Sequence, residues 1–210
     1  AFTYVNNMTL MVMPENWSEY FGNRGGTILN VADPAFVPRY LHFVVASVAI
    51  AGLFMAIIWN HRSKKGVDGA ELKVKSSLKI FAWATVFQVV VGLWFLVAIP
   101  KDLMMAFMGQ NLLYTIVLTM GILLTLGAIW VGFKGQLNAT LLHALAIVLL
   151  MVITRDNLRA LYLKDVFHPS SLELNPQYGV MALFFVVFAV GLGVVYYMLK
   201  IAWQADEKKV

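Results

Sequence analysis

Cysteine is absent from this 210-residue chain. Its absence excludes disulfide bonds, iron–sulfur clusters, thiolate metal sites and covalently attached c-type haem. Charge is also scarce, because Asp, Glu, Lys and Arg make up 13% of the residues, about half of the share in a soluble domain. The sequence contains no phosphate-binding loop, hydrolase triad or carboxylate cluster. These absences argue against a soluble enzyme that uses any of these sites.

The chain consists largely of long apolar runs, and 60% of its residues are hydrophobic. Residues 38–59 (PRYLHFVVASVAIAGLFMAIIW) carry no charge after Arg39 and His42 until the basic cluster at 60–65. A helix of about 20 apolar residues crosses a hydrocarbon core of about 30 Å. The pattern therefore predicts an all-α bundle of five transmembrane helices, with spans near 38–59, 80–99, 112–133, 139–163 and 180–203.

The distribution of basic residues predicts the orientation of this bundle. Ten Lys and Arg residues lie on the side of the 60–79 loop and the tail, and six lie on the other side. The positive-inside rule then places segment 1–36 outside, partly on the membrane surface, and the tail 204–210 in the cytoplasm of a bacterial inner membrane. An external N-terminus needs an export signal or a preceding span, so we expect one before Ala1. Basic residues at helix ends are typical of membrane topology rather than of nucleic-acid binding.

The four histidines are the strongest candidate metal ligands. His42 shares a helical face with Arg39 near the predicted outer end of the first span, where a haem propionate would pair with arginine. His143 lies near the inner end of the fourth span, so the two imidazoles are too far apart to ligate one haem. We expect b-type haem iron on His42 or His143, while packing roles remain the alternative. The candidate axial partners are Met151, Met104, Met105 or Met108 for His42 and His61 for His143, whereas His168 is predicted to be a loop residue.

A second unusual segment is 155–163 (RDNLRALYL), because it places charge at the end of a short apolar run. Its helical continuation would stack Arg155 and Arg159 one turn apart near the outer headgroups. A quinol head group needs a base for its proton and donors for its oxygens. Asp156, Tyr162 and an arginine are candidates for these roles, and the alternative is an interfacial charge pair that anchors the helix.

Segments 33–42 (DPAFVPRYLH) and 155–163 carry a resemblance to membrane subunits of bacterial respiratory complexes that accompany multihaem c-type cytochromes. More loosely, the chain is similar to integral-membrane cytochrome b subunits that exchange electrons with quinones. The resemblance implies a haem ligand at His42 and a quinone near Arg155 and Asp156. The chain departs from the five-span dihaem subunits of fumarate reductase and succinate dehydrogenase, because its second, third and fifth spans contain no histidine.

These observations predict an electron-transfer subunit that connects the quinone pool with a periplasmic multihaem c-type cytochrome, through b-type haem. Its other partners would be membrane lipid and further subunits of the complex. One alternative is a haem-free scaffold that anchors an external redox protein. Another is a small transporter component, which the scarcity of charge within the spans disfavours.

Overall fold

A computed structural model describes residues 1–23, 25, 28–166, 173 and 176–207, and all regular structure in these ranges is helical. Two short helical turns lie between the numbered helices, a 3-10 turn at Pro14–Asn16 and a π-helical turn at Ala106–Gln110. The helices are α1 (Phe2–Leu10), α2 (Glu19–Gly22), α3 (Phe36–Lys64), α4 (Ala70–Ala98), α5 (Lys101–Met105), α6 (Leu112–Phe133), α7 (Leu137–Tyr162) and α8 (Tyr178–Glu207).

Five of these helices are long and apolar enough to cross a membrane: α3, α4, α6, α7 and the Tyr178–Ala202 part of α8. The predicted all-α class and the five long apolar helices are therefore confirmed. The main difference lies in α4, which begins at Ala70 rather than near residue 80. Hydropathy identified only its apolar part, whereas the preceding residues of the sequence AELKVKSSLK include good helix formers and extend the helix.

Helices α3, α4, α6 and α7 pack as antiparallel neighbours along the chain. We call the end where α3 begins and α7 ends the Arg39 end, and the opposite end, where α3 ends and α7 begins, the Trp59 end. Helix α8 belongs to a separate compact unit that comprises residues 169–210 and is described by itself. It is a single apolar helix of 30 residues.

The N-terminal helix α1 contacts the beginning of α3 through aromatic rings. Phe2 meets Phe36 edge to face with ring centroids 5.2 Å apart, and Tyr4 meets Phe43 in the same way at 6.2 Å. Segment 1–36, which the sequence predicts to lie partly on the membrane surface, thus has its first helix packed on the Arg39 end of the bundle.

The main cluster of buried apolar residues lies in the Trp59 half of the bundle. Leu78 of α4 is completely buried at its centre, and half-buried Trp59 packs against its edge. Residues of α3, α6 and α7 complete the cluster. Its buried members are Ala49, Leu53, Ala56, Val74, Leu78, Phe81, Ala128 and Ala144.

Two glycines bring neighbouring helices close to the backbone of α4. A Cβ on Gly52 of α3 would lie 3.0 Å from the backbone nitrogen of Phe81 and 3.1 Å from the carbonyl oxygen of Ser77. A Cβ on Gly132 of α6 would lie 3.2 Å from the Cβ of Ala82. Helices in a membrane associate mainly through such close packing, because lipid tails are as apolar as the side chains.

Substitution Gly52→Ala should destabilise the bundle. The added methyl group would press on backbone atoms that cannot rotate away, and overpacking of this kind costs about 1–3 kcal/mol. SDS-titrated unfolding of the purified chain in detergent micelles measures the free energy of unfolding. Gly121→Ala in α6 is the matched control, since a Cβ there meets nothing within 4 Å. Equal stabilities of the two variants would contradict the proposed close contact.

Candidate functional site

The two segments that carry the resemblance come together at the Arg39 end. The guanidinium of Arg39 lies near Asp33 and near Tyr162 and Arg155 at the end of α7, where the like charges of the two arginines repel each other. It lies over the ring of Phe95 of α4, 5.1 Å from the ring centroid. Arg39 therefore connects α3 with both α4 and α7 at this end of the bundle.

Two residues of segment 33–42, Asp33 and Pro38, have structural roles at the start of α3. The carboxylate of Asp33 accepts a hydrogen bond of 3.0 Å from the backbone N–H of Ala35, which forms the turn before the helix. Pro38 lies in the first helical turn, where its missing N–H group leaves no hydrogen bond unmade. These residues fix the entry of the chain into α3 and thereby the position of Arg39.

Helix α7 continues through the charged segment 155–162, as predicted. Arg155 and Tyr162 are two turns apart, and both lie near Arg39. Arg159 lies one helical turn from each of them, and Asp156 lies three residues before Arg159. Asp156 and Arg159 are exposed, so the polar surface at the end of α7 extends from the residues near Arg39 to exposed charges.

An open, largely apolar groove of about 770 Å³ lies between the end of α7 and the N-terminal segment. Arg159 is its charged residue, and Asp156 lies one turn from Arg159 toward the bundle interior on the same face. The lining residues are Asn7, Leu10, Met11, Trp17, Arg159, Leu163 and Val166. Apolar walls with a few polar groups are typical of small-molecule sites.

His42 faces α4. Gln88 donates a hydrogen bond of 3.0 Å to the backbone carbonyl of His42, and a Cβ on Gly92 would lie 3.9 Å from its Nδ1. The Nδ1 atom of His42 and the Oε1 atom of Gln88 are both buried without a hydrogen-bond partner. The imidazole thus lies between α3 and α4 with one ring nitrogen directed into the protein.

His143 faces α6 at the Trp59 end. Its Nδ1 lies 2.8 Å from the carbonyl oxygen of Ala139 and donates to it, because a carbonyl can only accept. The other nitrogen, Nε2, lies against α6 so closely that a Cβ on Gly127 would be 2.8 Å away. Gly127 therefore provides the space that the imidazole occupies.

The contacts of His143 do not fit ligation of haem iron through Nε2, because helix α6 lies where the iron would be. Nδ1 of His42 is buried against α4, which leaves Nε2 as the nitrogen that could bind iron. His42 and His143 each lie near the N-terminal end of their helix, so they are at opposite ends of the bundle, as expected. The b-type haem stays a prediction.

The other candidate ligands are distributed between the two ends. Met151 on α7 and Met108 are exposed, while Met104 and Met105 are half-buried on α5. His61 is half-buried near the Trp59 end of α3. His168 lies outside the described residues.

Sequence reasoning overlooked Gln88, Asn7 and the roles of Gly92 and Gly127. A glutamine within an apolar span was the available signal for Gln88, because an uncharged amide in a membrane helix needs a partner on another helix. No local pattern pairs a glycine with a histidine 16 residues away, as in Gly127 and His143.

Gly127→Ala should destabilise the bundle in a way that depends on His143. The new methyl group would displace the imidazole, whereas in a His143→Ala background it would enter the space left by the ring. Double-mutant cycles for residues in contact give interaction energies of about 0.5–3 kcal/mol. We expect a value in this range from unfolding in micelles, and additive effects would contradict the contact. Gly121→Ala combined with His143→Ala serves as the additive control.

Comparison of the whole chain with models of known protein families, with curated proteins and with solved structures gives no match.

Proposed function

We propose that this chain is the membrane subunit of a respiratory electron-transfer complex and binds a quinol head group in the groove beside α7. The observation that carries the proposal is the combination of apolar walls with Arg159 and Asp156 on one face of a membrane-spanning helix. An ionisable side chain is energetically unfavourable in lipid, so such residues in membrane helices are rare. Where one occurs in such a helix, it is therefore a candidate for a functional role.

The residues of the groove have complementary chemical roles in this proposal. The guanidinium of Arg159 donates a hydrogen bond to one oxygen of the head group, and the apolar side chains of Leu163 and Leu10 exclude water from its ring. Oxidation to the quinone releases two protons and two electrons. The carboxylate of Asp156 accepts the protons from the quinol hydroxyls one after the other and, being exposed, releases each to water before it accepts the next. The two electrons pass to the redox group of the partner.

The partner in this proposal is a periplasmic multihaem c-type cytochrome that docks at the Arg39 end. The distribution of Lys and Arg supports this orientation, since ten of the sixteen basic residues lie toward the Trp59 end and the C-terminal tail. The Arg39 end then faces the periplasm of a bacterial inner membrane. A quinol in the groove would lie next to a partner bound there.

A haem-free scaffold for an external redox protein is the second candidate. The exposure of Asp156 and Arg159 favours it, because an interfacial charge pair that anchors a helix would also be exposed. The scaffold predicts that neutralising these residues has little effect on electron transfer.

Asp156→Asn should lower quinol oxidation by about 10²–10⁴-fold, because the amide keeps the size of the side chain but cannot accept the proton. Arg159→Gln should raise the KM for quinol, because it removes the charged donor. The measurement is cytochrome reduction in membranes that contain the complex, with short-tailed benzoquinol and naphthoquinol as substrates.

Asp165→Asn and Lys164→Gln are the matched controls for these changes. Both residues are exposed at the same end of α7, directly after the helix, and neither lines the groove. We expect near-normal kinetics from both controls. Near-normal turnover and KM in Asp156→Asn and Arg159→Gln would exclude the groove as the quinol site and favour the scaffold.

The visible spectrum of the purified complex tests the predicted b-type haem on this chain. Ligation by His42 requires that His42→Ala removes or shifts a b-type signal while the folded chain stays in the membrane. An unchanged spectrum would assign His42 to packing between α3 and α4, which its contacts with Gln88 and Gly92 support.

A further inference from the structure

The N-terminal segment forms one complete wall of the groove. Asn7, Leu10, Met11 and Trp17 belong to this segment, whereas the opposite wall comes from the end of α7 and the turn after it. A wall that is not part of the membrane-spanning bundle must be held in place by its own contacts. The position of this wall decides whether the groove has the width that a ligand requires.

Asn6 connects this wall to the chain that leads into α3. Its side-chain amide donates a hydrogen bond of 2.8 Å to the carbonyl of Ile28, and its Oδ1 accepts one of 2.7 Å from the backbone N–H of Asn30. The side chain is 3% exposed, so water does not replace these bonds. Asn6 thus joins α1 to residues 28–30 by two hydrogen bonds, in which its side chain is the donor once and the acceptor once.

Two further hydrogen bonds stabilise the segment between Asn6 and the residues that line the groove. The hydroxyl of Thr9 donates to the carbonyl of Asn6 at 2.7 Å, and both residues are buried in the first helix. The indole N–H of Trp17 donates to the carbonyl of Leu10 at 2.9 Å. The indole donor is therefore used within the wall, and Trp17 offers a ligand its ring rather than a hydrogen bond.

We propose that Asn6 is a positioning residue. It holds the N-terminal wall in the position that makes the groove wide enough for a quinol head group. This inference rests on the proposed function of the groove. Asn6 does not line the groove itself, so its removal acts on affinity through the wall. If only a tenth of the molecules keep the wall in place, the apparent Kd rises about tenfold.

The experiment compares the complex carrying Asn6→Ala with the wild-type complex in lipid nanodiscs. We measure the Kd of a short-tailed benzoquinone and of a short-tailed naphthoquinone, together with the KM and kcat for the corresponding quinols. We expect the Kd and KM to rise about tenfold or more while kcat stays near the wild-type value, because the bound ligand meets an unchanged Asp156 and Arg159. Amide hydrogen exchange should rise in residues 2–17 and stay unchanged in α4.

The controls separate this inference from the proposal on which it rests. Asn138→Ala removes an exposed asparagine at the Trp59 end and should change nothing. Unchanged Kd and KM in Asn6→Ala, together with weakened binding in Arg159→Gln, would overturn the role of Asn6 and leave the groove as the site. Absence of binding to the wild-type complex would overturn both. If Asn6→Ala fails to fold, Asn6→Asp keeps the acceptor for Asn30 and loses the donor to Ile28, and the same shift in KM is expected.

Discussion

The backbone of α4 between Ser77 and Ala82 is the contact on which the bundle depends. Helix α3 approaches it at Gly52 and helix α6 approaches it at Gly132, where neither approaching residue has a Cβ. Within a membrane there is no hydrophobic force to hold helices together, so this close van der Waals packing carries much of the association. The buried cluster around Leu78 lies at the same level of the bundle.

This close packing lies toward the Trp59 end, and polar groups gather at the Arg39 end. Arg39 interacts there with Tyr162, Arg155 and Asp33, and the N-terminal segment adds a wall that is hydrogen-bonded to residues 28–30. The closely packed half thus adjoins a half that holds an open groove. A site built on a packed scaffold keeps its geometry while one wall comes from a separate segment.

The sequence identified several site residues by a single property, namely charge next to or within an apolar run. This property pointed to Arg39, to His42 and to segment 155–162, and the structure places Arg39, Arg155 and Tyr162 together. It could not identify Asn6 or Gln88, because neither is charged and each has a partner far away in the chain. It left haem ligation and packing open for His143, whose contacts with Gly127 and Ala139 support packing.

The sequence by itself determined the all-α class, the five apolar helices and the continuation of α7 through Arg155. Hydropathy and helix propensity act over neighbouring residues, so a linear reading detects them. Only the tertiary structure decided that Arg159 borders a groove and that Asn6 hydrogen-bonds the first helix to residues 28–30. Those features depend on which helices become neighbours, and a close approach such as that of Gly52 to α4 decides this.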